Sequence, residues 1–193
     1  MEGDSGETNM NNTFQPAPYE KLRLLKTAVI YGPNASGKTN IIAAFYECCR
    51  FIVNSTDLKL DDPIRGYQPF KLDRSSGTQP TSFKMVFGGK DNLKYQYEIS
   101  FNAQQIWTEF LTFYPNGQAV ILFTRTNGHT KVELGEGFLD KNIKRKVLKN
   151  RLFLSESANN SGDSQMGEIY SYFKNIEFWN LLNNLDMHVL ARK

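Results

Sequence analysis

The chain has 193 residues, 40% hydrophobic and 22% charged, with a formal net charge of +3. That length suits one domain or one domain with an insertion, and the near-neutral charge announces no wholesale affinity for nucleic acid. No run of about 18 apolar residues offers a membrane span, and the opening MEGDSGETNM lacks the basic-then-apolar pattern of a secretory signal.

In chain order, residues 1–20 are polar and rich in Gly, Asn and Pro, and are expected to be disordered or loosely attached. LRLLKTAVIY, Leu22 to Tyr31, has an aliphatic core that predicts a buried strand at Thr27–Tyr31. A glycine-rich octet follows. Ile41, Phe45, Cys48 or Cys49, and Ile52 then recur at helical spacing, which predicts a helix from about Gly37 to Val53, ending near Asn54-Ser55. Neighbours on a helix point to different faces, so the adjacent Cys48 and Cys49 make no disulfide framework. Reduced thiols in a cytoplasmic protein are the expectation.

Asp57 to Pro80 reads as loop, with Pro69–Asp73 as a short edge strand. The period then changes to two. Leu93, Tyr95, Tyr97, Ile99 and Phe101 alternate with polar residues, and Phe83–Phe87, Trp107–Tyr114 and Ala119–Arg125 also read as strands. GGKDN, PNG and TNG supply the turns, so an antiparallel meander of four or five strands is expected between about Ser82 and Leu134. By alternation, Tyr95, Tyr97, Phe101 and Trp107 belong to the core rather than to a base-stacking surface. KNIKRKVLKNR, Lys141 to Arg151, reads as a basic helix. Its solvated face could instead sit against nucleic-acid phosphates. An apolar run, Leu152-Phe-Leu-Ser, and a polar linker, ESANNSGDSQ, lead to Met166, Ile169, Tyr170, Phe173 and Ile176 at helical spacing, with Asp163 or Ser164 as cap. His129 and His188 stand apart from each other and from the cysteines, so no metal-ligand spacing results.

The octet GPNASGKT, Gly32 to Thr39, fits the G-x-x-x-x-G-K-[ST] pattern of a phosphate-binding loop, or Walker A motif. Triphosphates need many donors at short range. Main-chain N–H groups from Asn34 to Thr39 can converge into an anion nest, continued by Asn40, while Gly32 and Gly37 permit the required backbone turns. The positive end of the next helix points to the same place. Lys38 can reach the β- and γ-phosphates, and the Thr39 hydroxyl can ligand Mg2+. A strand before and a helix after are the context the motif demands. ATP is favoured over GTP because no guanine-reading N/T-K-x-D sequence is present.

Leu24 to Ala44 around this octet resembles the amino-terminal part of bacterial AAA-domain, ABC-like ATPases, relatives of the overcoming-lysogenisation-defect, RecF and SMC-type ATPases. The likeness continues through Phe51-Ile-Val-Asn-Ser, Pro69-Phe-Lys-Leu-Asp, Thr81–Phe87, Tyr95-Gln-Tyr, Phe113-Tyr-Pro-Asn-Gly and Leu152-Phe-Leu-Ser, covering roughly residues 20–180. It implies an α/β P-loop NTPase fold over residues 21–193, in which an antiparallel β-subdomain at about 80–135 and C-terminal helices stand beside the nucleotide. It also implies ATP and Mg2+ as ligands, action through a homodimer, and coupling to DNA or to a phage-defence nuclease or toxin partner. In relatives a glutamine after the antiparallel sheet contacts metal and γ-phosphate. Leu152-Phe-Leu-Ser places Asn159 near that position, one methylene short, and Gln68 is a second candidate. A plain polar surface residue remains the alternative for both.

Other parts of such an ATPase are not found in the sequence: an apolar strand ending in Asp-Glu, a Leu-Ser-Gly-Gly-like signature and a switch histidine. Asp61-Asp62, Asp140 and Leu185-Asp186 lack the apolar strand that the first requires. No catalytic residue can therefore be named. The sequence reads as the amino-terminal portion of an ATPase, with a non-catalytic nucleotide-binding module as the alternative. A small-molecule kinase is a third option, weakened by the lack of an arginine-bearing lid motif.

Overall fold

The computed structural model describes residues 12–16, 23–67, 69, 77, 79–160 and 164–179. Two short strands, β1 (Thr13–Phe14) and β2 (Leu24–Leu25), pair antiparallel near the start. A single long helix, α1 (Lys38–Asn54), follows the octet. Then come five strands in sequence order: β3 (Thr81–Gly88), β4 (Lys94–Phe101), β5 (Ile106–Phe113), β6 (Val120–Arg125) and β7 (Glu133–Leu134), all antiparallel. Two helices, α2 (Phe153–Asn160) and α3 (Ser164–Lys174), complete the described chain. The result is a mixed α/β molecule built on one meander.

The meander forms as the alternation requires. Tyr95, Tyr97, Ile99 and Phe101 are buried on β4, and Leu111 of β5 and Phe123 of β6 join the same core. Asn92, Asn116 and Asn127 take positive φ angles of 60°, 56° and 53° in the three turns, a conformation that Asn tolerates better than most residues. Trp107 departs from expectation. It is 38% exposed rather than part of the core, because Ile106, its neighbour in β5, takes the inward position.

Helices cover the buried face of the sheet. From α1, Phe51 packs on Phe101 with ring centroids 5.0 Å apart; from α3, Phe173 meets Phe87 edge-on at 5.1 Å. Cys48 and Cys49 are both free and both buried in this layer, the Cys49 thiol pushed up to about 12 by burial. Only the second half of α1 takes part, however. Tyr46, Cys48, Cys49, Phe51 and Ile52 are buried, whereas every residue from Thr39 to Phe45 is exposed.

Three further expectations need correction. Thr27–Tyr31 is not a strand of a central sheet. It pairs with no strand among the described residues and is exposed throughout, Val29 to 65% and Tyr31 to 88%. Apolar content marks a segment that wants cover, but a strand also needs a neighbour, and the five-stranded sheet lies against the far half of α1. Secondly, Lys141–Arg151 is not helical. Residues 145–147 run antiparallel to 130–132, with Val132 N–H donating to the Arg145 carbonyl (2.8 Å) and Val147 N–H to that of Thr130 (2.9 Å). Buried Val147 anchors that pairing. Thirdly, the polar linker after Leu152-Phe-Leu-Ser begins inside a helix, since α2 runs to Asn160.

A buried carboxylate explains α2. Glu109 of β5 accepts hydrogen bonds from the main-chain N–H groups of Phe153 (2.8 Å) and Leu154 (3.0 Å), and from the Tyr97 hydroxyl (2.8 Å). It thereby caps the helix from outside its own sequence. Arg125 of β6, also buried, lies 4.0 Å from Glu109 and donates to the carbonyls of His129, Arg151, Leu148 and Lys149. Burial pushes the Glu109 carboxyl up, and Arg125 with the two amides and Tyr97 pulls it back. Of the expected loose N-terminal segment, only residues 12–16 are described, and the proposed edge strand at Pro69–Asp73 lies outside the described residues except for Pro69.

Candidate functional site

The octet forms a compact turn at the start of α1. Ala35 and Gly37 take left-handed φ angles of 63° and 86°. An added methyl carbon at Gly32 would stand 2.8 Å from the Ser36 hydroxyl oxygen, which would have to turn aside to admit it. Gly37 is the N-cap of α1, yet no side chain caps the helix and its first turn holds no acidic residue. A bare helix start carries unpaired N–H groups and a positive partial charge.

Those donors can be followed one by one. Ser36 N–H turns back to the Pro33 carbonyl (3.3 Å). The N–H groups of Asn34, Ala35, Gly37, Lys38, Thr39 and Asn40 have no partner among the described residues. The Lys38 ammonium folds over the loop and donates to the carbonyls of Gly32 (2.7 Å) and Pro33 (2.6 Å), and to the Ser36 hydroxyl (3.3 Å). Among the described residues no carboxylate forms an ion pair with it. The Thr39 hydroxyl likewise has no partner among the described residues. Six free donors, an uncapped helix and a cation resting on carbonyls make an anion cradle, and a polyphosphate fits that donor set.

Asn159 is not brought to this cradle. It sits in the last turn of α2, donates to the Ser155 carbonyl (2.8 Å) and hydrogen-bonds the Tyr170 hydroxyl, which in turn donates to the Val53 carbonyl (2.8 Å). Val53 is at the opposite end of α1 from Thr39, roughly 20 Å along the axis at 1.5 Å per residue. Gln68, Asp163, Asp186 and His188 lie outside the described residues. Other carboxylates are engaged elsewhere: Asp61 pairs with Lys149 (2.6 Å), Asp62 accepts from Lys59 N–H (2.8 Å) and Asp140 from Asn142 N–H (3.0 Å). Among the described residues no group of three metal-ligating side chains comes together. A cavity of ≈ 730 Å3 is away from the loop, between the basic segment and α2.

A mixed α/β domain whose long helix opens on a G-x-x-x-x-G-K-[ST] sequence is, by class, a nucleotide-binding domain of the ATPase type. The chain belongs to the family described as "AAA domain, putative AbiEii toxin, Type IV TA system", whose profile matches residues 28–162. No curated protein and no solved structure matches it. The matched span opens one residue into the Thr27–Tyr31 segment and includes the octet, the whole meander and α2. No helix among the described residues is long and apolar enough to cross a membrane.

Proposed function

We propose that this chain binds ATP with Mg2+ at Gly32–Asn40, and that the complete protein hydrolyses it. One observation carries the reading: six unpartnered main-chain N–H groups gather at an uncapped helix start beside the Lys38 ammonium. In this reading the amides and Lys38 bind the β- and γ-phosphates, Lys38 exchanging its loop carbonyls for phosphate oxygens. The Thr39 hydroxyl would hold Mg2+, which supplies positive charge against the phosphates when bound. Asn159 belongs to the α2–α3 contact and is left out of the site.

Hydrolysis needs a carboxylate to polarise water, and the described carboxylates near the core serve other partners. That observation favours a second reading, a nucleotide-binding module without turnover. Titration of Mg-ATP by calorimetry tests the first claim: Lys38→Ala is expected to abolish binding, and unchanged affinity would refute the site. Phosphate release separates the two readings, since binding without release selects the module. A cytoplasmic setting follows from the free, adjacent Cys48 and Cys49, and dimerisation and coupling to DNA or a toxin partner from the resemblance to ABC-like ATPases; all are part of this proposal.

A further inference from the structure

The basic segment makes a surface that nucleotide binding does not use. Lys141, Arg145, Lys149 and Arg151 are each occupied: Lys141 and Arg145 by main-chain carbonyls, Lys149 by Asp61, and Arg151 by Glu156 and the Leu58 carbonyl. Lys144 and Lys146 are not. Both are exposed, both line the ≈ 730 Å3 cleft, and neither has a side-chain partner among the described residues.

Pairing of residues 145–147 with 130–132 adds a third cation. Lys131 stands directly opposite Lys146, flanked by the hydrogen bonds Val132 N–H to Arg145 and Val147 N–H to Thr130. In an antiparallel ladder a pair flanked in this way is the non-hydrogen-bonded kind, whose side chains lie close together on one face. Lys131 is also exposed and without a partner. Like charges directly opposite each other are destabilising. Among the described residues no carboxylate forms an ion pair with them: Asp140 is turned to the Asn142 N–H and Glu156 to Arg151 within the same cleft. Three unpaired ammonium groups beside an open cleft form a ready site for a polyanion.

Spacing selects the polyanion. Lys144 and Lys146 are two residues apart in an extended segment, about 6.8 Å along the chain. Successive phosphodiesters of an extended nucleic-acid strand repeat at a comparable distance. Ile143, Val147 and Leu148 form the apolar wall, with no aromatic ring for base stacking, so contact is to the backbone and indifferent to sequence. We propose that Lys131, Lys144 and Lys146 bind the phosphate backbone of a nucleic-acid strand laid along this cleft. The inference does not rest on nucleotide binding at the octet.

Fluorescence anisotropy with a fluorescein-labelled single-stranded DNA oligonucleotide, without nucleotide, tests it across a salt series. Each lost phosphate contact removes about 0.7 from the slope of log affinity against log salt. The triple variant Lys131→Gln/Lys144→Gln/Lys146→Gln should therefore flatten the slope by about 2 and weaken binding at about 50 mM salt by roughly a hundredfold or more. Lys144→Gln alone should give about a third of the slope change, and Lys90→Gln/Lys174→Gln, on exposed lysines elsewhere, none. An unaltered thermal melt of the triple variant accompanies the supporting result. Absence of wild-type binding at low salt, equal loss in the control, or an unchanged triple variant would overturn the proposal. So would tighter lysine-dependent binding to phosphatidylserine vesicles or to inorganic triphosphate than to the oligonucleotide.

Discussion

At the scale of single residues, two groups do most to determine the outcome, and they do so differently. Glu109 acts on stability. It is fully buried, and its charge faces Arg125 while its oxygens hold the first amides of α2. Removing one member of a buried pair leaves the other charge uncompensated, at a cost of about 3–5 kcal/mol. Four carbonyls still accept from Arg125, so Glu109→Ala should fall at the lower end, about 3 kcal/mol, lowering Tm by on the order of 10 °C in a calorimetric melt. A melt within a degree or two of wild type would show that α2 does not depend on this cap. Gly37 acts on the site. At φ 86° an alanine costs roughly 1–2 kcal/mol, so Gly37→Ala should weaken Mg-ATP binding about tenfold while leaving the meander's far-UV spectrum unchanged.

At the scale of elements, what the sequence makes legible is what local patterning decides. The helix expected from Gly37 to Val53 is found at Lys38–Asn54, because aliphatic and aromatic residues at helical spacing encode it within their own stretch. Strands β3 to β6 follow from alternation and from three Asn-bearing turns. The octet is legible for the same reason, its glycines and Lys-Thr being contiguous. The misses are all non-local. ESANN, polar in sequence, folds as part of α2 because a carboxylate 44 residues earlier receives its leading amides. KNIKRKVLKNR has helical composition, but Val147 and the open edge at 130–132 draw it into a ladder instead. Lys131 gave no sign of belonging with Lys144 and Lys146, since their juxtaposition depends on register rather than on spacing along the chain.

At the scale of the whole molecule, the octet Gly32–Thr39 stands apart from the core. Five strands, α2, α3 and the second half of α1 form one packed body, while Thr27–Tyr31 and the first turn of α1 stand out in solvent with Val29, Ile30, Ile41 and Ile42 exposed. Extended backbone with open hydrogen-bonding groups and an apolar flank is prone to pair with another chain. Sedimentation velocity is expected to show association that grows with protein concentration, and Ile30→Lys/Ile42→Lys should shift the population toward monomer. A single sedimenting species at every concentration, in both proteins, would show that the arm is inert. Because the cradle rides on that arm, whatever covers the arm also steadies the loop amides. Occupancy of the arm and occupancy of the cradle should then favour each other, each tightening the other by the same factor. The protein would thus read assembly through the stiffness of a helix that its own core grips at one end only.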